Sequence, residues 1–96
     1  MVIGTIIKDA RLKIGMSQKE LASQIGVDVS FLCKIEKNEK NISLEKLKLI
    51  SHILKIGYDN LKVEYYSSKI IEILSNESGL IKYKVLEFLQ KKIKEQ

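Results

Sequence analysis

The segment spanning residues 18–38 constrains the fold of this chain more than any other part of it. Ser17 and Glu20 have the spacing of a capping box, which predicts that a helix begins at Gln18. Gly26 tolerates the positive φ of a sharp turn, so this helix is expected to end there and to be followed closely by a second one. The pattern therefore predicts two short helices joined by a tight turn.

The second of these helices is predicted over residues 29–37, with Asp28 as its N-cap. Leu32 and Ile35 are spaced so that both should face the core. The opposite face is then left to solvent, where its side chains are free to contact a target. The residues expected on this exposed face are Val29, Ser30, Cys33 and Lys34.

Small and apolar side chains indicate that the two helices cross steeply. Ala22 occupies a position at which a larger side chain would hold the second helix away. The apolar residues that can bury the corner are Leu21, Ile25, Val27, Leu32 and Ile35. A steep crossing leaves the second helix free to enter a groove of its target.

The remainder of the 96-residue chain also favours helices, because it contains no proline and only five glycines. The further segments with helical spacing of apolar residues are 2–14, 43–57, 60–74 and 80–93, with a break at 75–79. In this pattern Ser43 caps the helix that Gly57 ends, and Asp59 caps the next one. We therefore expect an all-α protein, with one domain over 1–58 and a helical extension over 59–96.

The charge of the chain narrows the class of partner. Seventeen basic and twelve acidic residues give a net charge of +5 and a pI near 9.3. The basic excess lies mainly in residues 1–57, which contain ten basic and six acidic side chains. Such a surface suits a polyanionic partner.

The chain lacks the groupings of residues that catalysis or metal binding requires. His52 and Cys33 are the only histidine and the only cysteine, and two such ligands cannot complete the usual four-ligand zinc site. The sequence also contains no glycine-rich phosphate loop. We therefore predict a protein that is not an enzyme and that needs no metal or cofactor.

A single cysteine cannot form an internal disulfide, and no apolar run has the length of a membrane span or of a signal-peptide core. The basic last helix is a poor candidate for a membrane surface, because Glu87 and Glu95 interrupt its charge. We predict a cytoplasmic protein without membrane contact.

Ala22, Gly26 and the apolar residues around them together resemble the Cro/C1-type helix-turn-helix family of bacterial and phage transcriptional regulators, over roughly residues 3–62. The resemblance implies a lambda-repressor-like bundle of five helices, followed here by one or two C-terminal helices. It also implies a structural ion pair between Arg11 in IKDARLK and Glu36 in KIEKN.

The same resemblance implies a transcriptional regulator that binds double-stranded DNA sequence-specifically. Gln18 would brace the DNA backbone, while the second helix of the pair would lie in the major groove. Lysine can donate to guanine, serine can donate or accept, and valine can meet a thymine methyl group. Phe31 is expected to pack either against the sugar-phosphate backbone or on the domain surface. The residues predicted to contact DNA are Gln18, Val29, Ser30, Phe31, Cys33, Lys34, Lys37, Asn38, Lys40 and Asn41.

The segment SFLCKIEKNEKNISLEKL is similar to the small controller proteins of restriction–modification systems. This chain departs from their pattern in two respects. Val29 stands where those proteins commonly carry a base-reading arginine, and the chain continues well beyond their usual end. The operator sequence therefore cannot be carried over from them.

The extension over 59–96 has apolar faces that a complete bundle would leave uncovered. We expect these faces to form a homodimer interface, and a twofold dimer predicts a pseudo-palindromic operator. The residues predicted at the interface are Tyr66, Ile70, Ile73, Leu74, Ile81, Val85, Phe88 and Leu89. The alternative is an antitoxin-like or regulatory protein-interaction module, in which the same helices hold a second protein partner.

Overall fold

A computed structural model describes residues 3–96, which form six α-helices joined by turns and short loops, without a strand. The helices are α1 (Ile3–Lys13), α2 (Gln18–Ile25), α3 (Val29–Glu36), α4 (Leu44–Leu54), α5 (Tyr58–Ile73) and α6 (Gly79–Lys94). The predicted all-α bundle with C-terminal helices is thereby confirmed. Val2, which was predicted to open the first helix, lies outside the described residues. Within 3–96, no helix is both long and apolar enough to cross a membrane.

One core holds the first five helices together. Its largest fully buried side chains are Ile7, Leu21, Ile25, Leu32, Ile35, Leu47, Ile50 and Leu61. Burying an aliphatic side chain of this size stabilises the folded state by about 1.5–3 kcal/mol. Because Leu61 belongs to this core, the first turn of α5 is part of the bundle.

The turn between α2 and α3 has the predicted form. The hydroxyl of Ser17 accepts from the N–H of Glu20, and the Glu20 carboxylate accepts from the N–H of Ser17, each at 3.0 Å. Gly26 lies in the left-handed region at φ 72°, and its N–H donates to the carbonyls of Ala22 and Ser23. These local hydrogen bonds set where α2 begins and ends.

Three predicted helix caps are only partly as expected. Asp28 is the N-cap of α3, but its side chain makes no capping hydrogen bond. The fourth helix ends at Leu54 rather than at Gly57, because Lys55 takes the left-handed conformation at φ 56°. Gly57 instead precedes α5 as its N-cap, and Asp59 lies in the first turn of that helix rather than capping it.

The helices after residue 57 leave most of their apolar side chains exposed. Only Leu61 is buried in α5, and α6 buries no residue. The break predicted at 75–79 is present one residue earlier, at 74–78, and Gly79 already belongs to α6. The hydroxyl of Ser78 accepts from the N–H of Ile81 at 3.3 Å. The chain is consequently elongated, with extents of 43 × 28 × 21 Å.

Candidate nucleic-acid interface

The face of α3 opposite the core carries the predicted target-contacting residues. Val29 is 43% exposed, and Ser30 and Lys34 are also exposed, whereas Cys33 is half-buried. Leu32 and Ile35 on the other side of the helix are fully buried. The helix is therefore held by one face, and its opposite face is available to a partner.

Ala22 allows α3 to lie close to α2. Its side chain is buried in the core, next to Leu21 and Ile25 on the same helix. A larger side chain at this position would push the two helices apart, since interiors are packed to nearly crystalline density. The orientation of the exposed face of α3 thus depends on residues that never meet solvent.

Phe31 packs on the domain, and its contact with the DNA backbone stays a prediction. Its ring is half-buried and packs against the hydrophobic core. The ring therefore helps to hold α3 on the bundle, and only its exposed remainder is available for another contact.

Arg11 and Glu36 form the ion pair that the family resemblance implied. Nε of Arg11 donates to Oε2 of Glu36 at 2.7 Å, and Nη2 donates to Oε1 at 2.9 Å. The side chains are only 7% and 2% exposed. The hydrogen bond to Glu36 raises the pKa of the Arg11 guanidinium above its ordinary value, although desolvation opposes this effect. The pair therefore joins α1 to the end of α3 as two charges in bidentate contact.

Gln18 lies beside this pair at the start of α2. Its Nε2 donates to Oε1 of Glu36 at 2.9 Å, and the residue is half-buried. We predicted from the sequence that Gln18 contacts the DNA backbone. Its hydrogen bond to Glu36 was not predicted. One buried carboxylate consequently links α1, α2 and α3.

Asn38, in the loop after α3, has a structural role that the sequence did not predict. Asn38 was expected to contact the DNA backbone, but its Oδ1 accepts from the backbone N–H of Gly4 at 2.9 Å. Its Nδ2 donates to the hydroxyl of Thr5 at 3.3 Å. The amide is directed to the first turn of α1, whose N–H groups have no acceptor within the helix. Asn38 therefore serves as a remote cap of α1.

The other residues predicted in this loop are exposed. Lys37 is the C-cap of α3, and Lys40 and Asn41 follow within a few residues. They lie directly after the exposed face of α3, so lysine side chains adjoin the predicted reading surface. Basic residues in this position are suited to DNA phosphates.

Two structural residues of this region were missed from the sequence. Nζ of Lys46 donates to the carbonyl of Ile25 at 2.6 Å, which satisfies an acceptor at the end of α2. Gly4 is buried where α1 meets the end of α3, and a Cβ there would overlap the carbonyl oxygen of Ile35. The sequence did contain a signal for the close approach at Gly4, namely an isolated glycine inside a helical pattern.

No cluster of three or more histidine, cysteine, aspartate or glutamate side chains within residues 3–96 is arranged to hold a metal ion. His52, the single histidine, is exposed on α4.

Comparison with known proteins agrees with this architecture. A helix-turn-helix family model matches residues 7–61, which is more than half of the chain. The HTH-type transcriptional regulator SinR of Bacillus subtilis (strain 168) is 33% identical over 99 residues, covering 92% of this chain and 89% of SinR. The match to SinR thus includes the C-terminal helices as well as the bundle.

Solved structures give the same picture. A chain of the SinR protein/SinI protein complex is 30% identical with a TM-score of 0.56, covering 98% of this chain and 99% of its own. A mutant of the restriction–modification controller protein C.Esp1396I is 31% identical with a TM-score of 0.53, covering 78% of this chain and 92% of its own. The clp gene regulator ClgR from Corynebacterium glutamicum shares the fold at 23% identity and a TM-score of 0.60, covering 91% of this chain and 88% of its own. With the exposed face of α3 held across α2, these matches show that the chain belongs to the Cro/C1-type helix-turn-helix family and is a DNA-binding transcriptional regulator.

Proposed function

We propose that this regulator acts in the cytoplasm as a homodimer that binds a pseudo-palindromic operator in double-stranded DNA, without catalysing a reaction. Each subunit would place α3 in the major groove of one half-site, and twofold symmetry would set the half-site centres about one helical turn apart. The observation that carries this proposal is the exposed face of α3 next to the exposed Lys37 and Lys40.

The side chains of α3 would read base edges by different means. Lys34 has the donor for guanine O6 and N7, Ser30 can donate or accept, and Val29 presents methyl groups to a thymine methyl. Cys33 is half-buried and would contribute a smaller contact at the edge of this surface. The reading face has one charged residue, so much of the affinity would come from the DNA backbone.

Contacts with phosphates would come from residues on both sides of the reading face. The proposed contacts are Gln18 together with the free N–H groups at the start of α2, and Lys37, Lys40 and Asn41 in the loop after α3. Each lysine that neutralises a phosphate steepens the dependence of log K on log salt concentration by about 0.9. Neutral side chains contribute no such slope.

Selection of bound sequences from a random DNA pool tests the proposal directly. We expect a pseudo-palindromic motif whose half-sites are about one helical turn apart. Enrichment of no motif, with binding no tighter than to bulk DNA, would contradict sequence-specific recognition.

Three lysine variants separate base contacts from backbone contacts. Lys34→Ala should relax specificity at one position of each half-site and cost about 1–3 kcal/mol of binding free energy. Lys37→Ala should weaken binding to all sequences alike and reduce the salt slope by about 1. Lys84→Ala, an exposed lysine of α6, is the control for net charge and should leave the slope nearly unchanged.

The exposed apolar residues of α5 and α6 support the proposed dimer. Of the predicted interface, Tyr66, Ile73 and Phe88 are exposed by 52%, 79% and 60%, and Leu74 and Val85 are half-buried. Exposed apolar area on this scale favours association. The other predicted interface residues are Ile70, Ile81 and Leu89, which are exposed as well.

Light scattering of purified protein measures the subunit number. We expect a dimer that Ile73→Glu or Phe88→Glu converts to a monomer with weaker operator binding. Leu12→Glu is the control, because Leu12 is an exposed apolar residue of α1 outside the proposed interface. A wild-type monomer at high micromolar concentration would rule out the dimer.

The same surface of α5 and α6 also supports a second candidate function, the binding of another protein. A SinR chain that this protein resembles occurs in a complex with SinI. If a protein partner binds there, Lys34→Ala combined with Lys37→Ala should abolish DNA retention and leave partner capture intact. Loss of both activities in this double variant would argue against two separate surfaces.

The likeness to a restriction–modification controller supports a further proposal about the regulated genes, namely those of such a system. The extent of the two structural matches favours a SinR-like regulator instead. The match to the controller protein covers 78% of this chain, whereas the match to the chain of the SinR protein/SinI protein complex covers 98% of it. Identifying the genes next to the selected operator decides whether this protein regulates a restriction–modification system or other genes.

A further inference from the structure

The carboxylate of Glu36 is shared by three helices. Glu36 is the last residue of α3. Its carboxylate accepts two hydrogen bonds from Arg11 of α1 and a third from Nε2 of Gln18 at the start of α2. Nη1 of Arg11 donates to the carbonyl of Met16 at 2.8 Å, so the connection between α1 and α2 is also tied to this group. Its hydrogen-bonding capacity is therefore used by residues that set the relative positions of the first three helices.

The contact with Glu36 determines which end of the Gln18 amide faces inward. A carboxylate paired with arginine is ionised and can only accept hydrogen bonds, so the Gln18 atom that faces it must be the nitrogen. An amide nitrogen carries two N–H groups, and one of them is used by Glu36. The second is not accepted by any residue of the described range 3–96.

Glu36 cannot contact DNA itself. Its side chain is 2% exposed, and its negative charge would be repelled by phosphates. Any influence of Glu36 on the DNA backbone must therefore pass through the residues that it holds. Of these, Arg11 is buried, while Gln18 is half-buried and lies in the first turn of α2, where N–H groups are also free to meet an anion.

We propose that Glu36 is a positioning residue for DNA binding, which holds the Gln18 amide so that its second N–H meets a backbone phosphate. The inference rests on the proposed contact between Gln18 and the DNA backbone. Because Glu36 is the last residue of α3, the phosphate contact of α2 would depend on a buried group of the reading helix. The amide is ordered before DNA arrives, so binding does not have to order it.

A double-mutant cycle on operator affinity tests this coupling. Gln18→Met keeps the length of the side chain and removes its donors, and it should weaken binding by about three- to tenfold. The salt slope should stay unchanged, because no charge is lost. In the wild-type background Glu36→Gln should weaken binding by a similar factor, whereas in the Gln18→Met background it should change affinity less than twofold.

The outcomes of the cycle are distinct. If Glu36→Gln weakens binding by the same factor in both backgrounds, Glu36 is only a stabilising residue and the inference is wrong. If Gln18→Met leaves operator affinity unchanged, both the inference and the Gln18 phosphate contact fail, while recognition by α3 stands. Failure of the wild-type protein to select an operator would instead remove the proposed function as a whole.

NMR of the wild-type protein provides a test that does not depend on whether Glu36→Gln folds. The two side-chain amide protons of Gln18 should exchange with solvent at different rates, and the faster one should shift and become protected when operator is added. Gln24, an exposed residue of α2, is the matched control and should show neither effect. Equal, unprotected exchange of both Gln18 protons in the complex would overturn the inference.

Discussion

The backbone N–H of Gly4 donates a hydrogen bond of 2.9 Å to Oδ1 of Asn38, which joins the first turn of α1 to the residue two positions after α3. Asn38 has a φ of 62°, in the left-handed region that asparagine tolerates better than most residues. Its Nδ2 also donates to the hydroxyl of Thr5. A residue of the loop therefore caps a helix whose second residue, Gly4, lies 34 residues earlier in the chain.

Asn38→Ala should destabilise the protein by about 2 kcal/mol, because it removes the hydrogen bond to Gly4 and places alanine at positive φ. Asn38→Gly loses the same hydrogen bond without the backbone strain and should cost about 1 kcal/mol. Urea denaturation measures both. Equal stabilities of the alanine and glycine variants would show that the φ of Asn38 carries no strain.

Gly4→Ala should lower the free energy of unfolding by about 1–3 kcal/mol, because the added methyl group would overlap the carbonyl oxygen of Ile35. The matched control is Gly79→Ala in the first turn of α6, where a Cβ meets no atom within 4 Å. The control should be neutral or stabilise by up to about 1 kcal/mol. Thermal unfolding of the two variants compares them, and equal melting temperatures would contradict the close approach of α1 to α3.

Replacing one partner of the Arg11–Glu36 pair should cost about 3–5 kcal/mol, because the other charge is left buried without its counter-charge. Arg11→Met combined with Glu36→Leu should cost much less than the sum of the single variants. While Glu36 is ionised, the raised pKa of Arg11 means that the stabilisation is fully present below the ordinary arginine pKa and is lost as the pH rises through the pKa of the folded state.

The control for this pair is Lys62→Met, which breaks the exposed Asp59–Lys62 pair of α5. We expect a loss there of no more than about 1 kcal/mol. Chemical denaturation of all variants provides the comparison, and a cost for Arg11→Met as small as that of Lys62→Met would show that the buried pair does not stabilise the fold.

Lys55→Gly should stabilise the protein by about 1 kcal/mol, because Lys55 ends α4 with a φ of 56° and glycine adopts this conformation without a Cβ penalty. Lys55→Ala removes the same charge and keeps the strained φ, so it should leave stability nearly unchanged. The difference between the two melting temperatures isolates the backbone effect. A stabilising effect of equal size in both variants would point to charge rather than conformation.

The capping box predicts a specific pH dependence. Hydrogen bonds from the backbone N–H of Ser17, and to a lesser extent from its hydroxyl, lower the pKa of Glu20 below its ordinary value. A carboxylate whose pKa is lower in the folded state adds stability above its unfolded pKa, and this stability is lost as the pH falls through the folded pKa. An NMR titration of the Glu20 carboxyl carbon should show the lowered pKa. Ser17→Ala removes the hydroxyl but keeps the backbone N–H, so the pKa of Glu20 should return only part of the way towards its ordinary value. A complete return in that variant would mean that the backbone hydrogen bond is not the main cause.

Much of the helix pair could be predicted because its signals are local. Ser17 and Glu20 are three residues apart, and Gly26 needs only its own backbone freedom to end α2. The apolar spacing likewise predicted that Leu32 and Ile35 are buried. Local rules were less reliable where two neighbouring residues competed to end a helix, as at Lys55 and Gly57.

The contacts around the candidate interface could not be predicted in this way. The family resemblance implied the partners Arg11 and Glu36, but the third hydrogen bond, from Gln18, requires three helix positions to be known at once. Asn38 is the type of polar loop residue that often contacts DNA. Only the position of α1 in the folded structure shows that its side-chain amide is already hydrogen-bonded to Gly4. Lys46 gave no sign in the sequence that it reaches the carbonyl of Ile25.

The sequence by itself determined where α2 begins and ends, which residues of α2 and α3 are buried, and which face of α3 is turned away from the core, because hydrophobic periodicity and capping act within a few residues. The tertiary structure alone decided how the polar groups are used between helices. Gln18 bonds to Glu36, and Asn38 bonds to Gly4, because packing of the core sets the distances between segments that are far apart in the chain. Those distances determine which polar side chains are occupied inside the protein and which remain available for DNA.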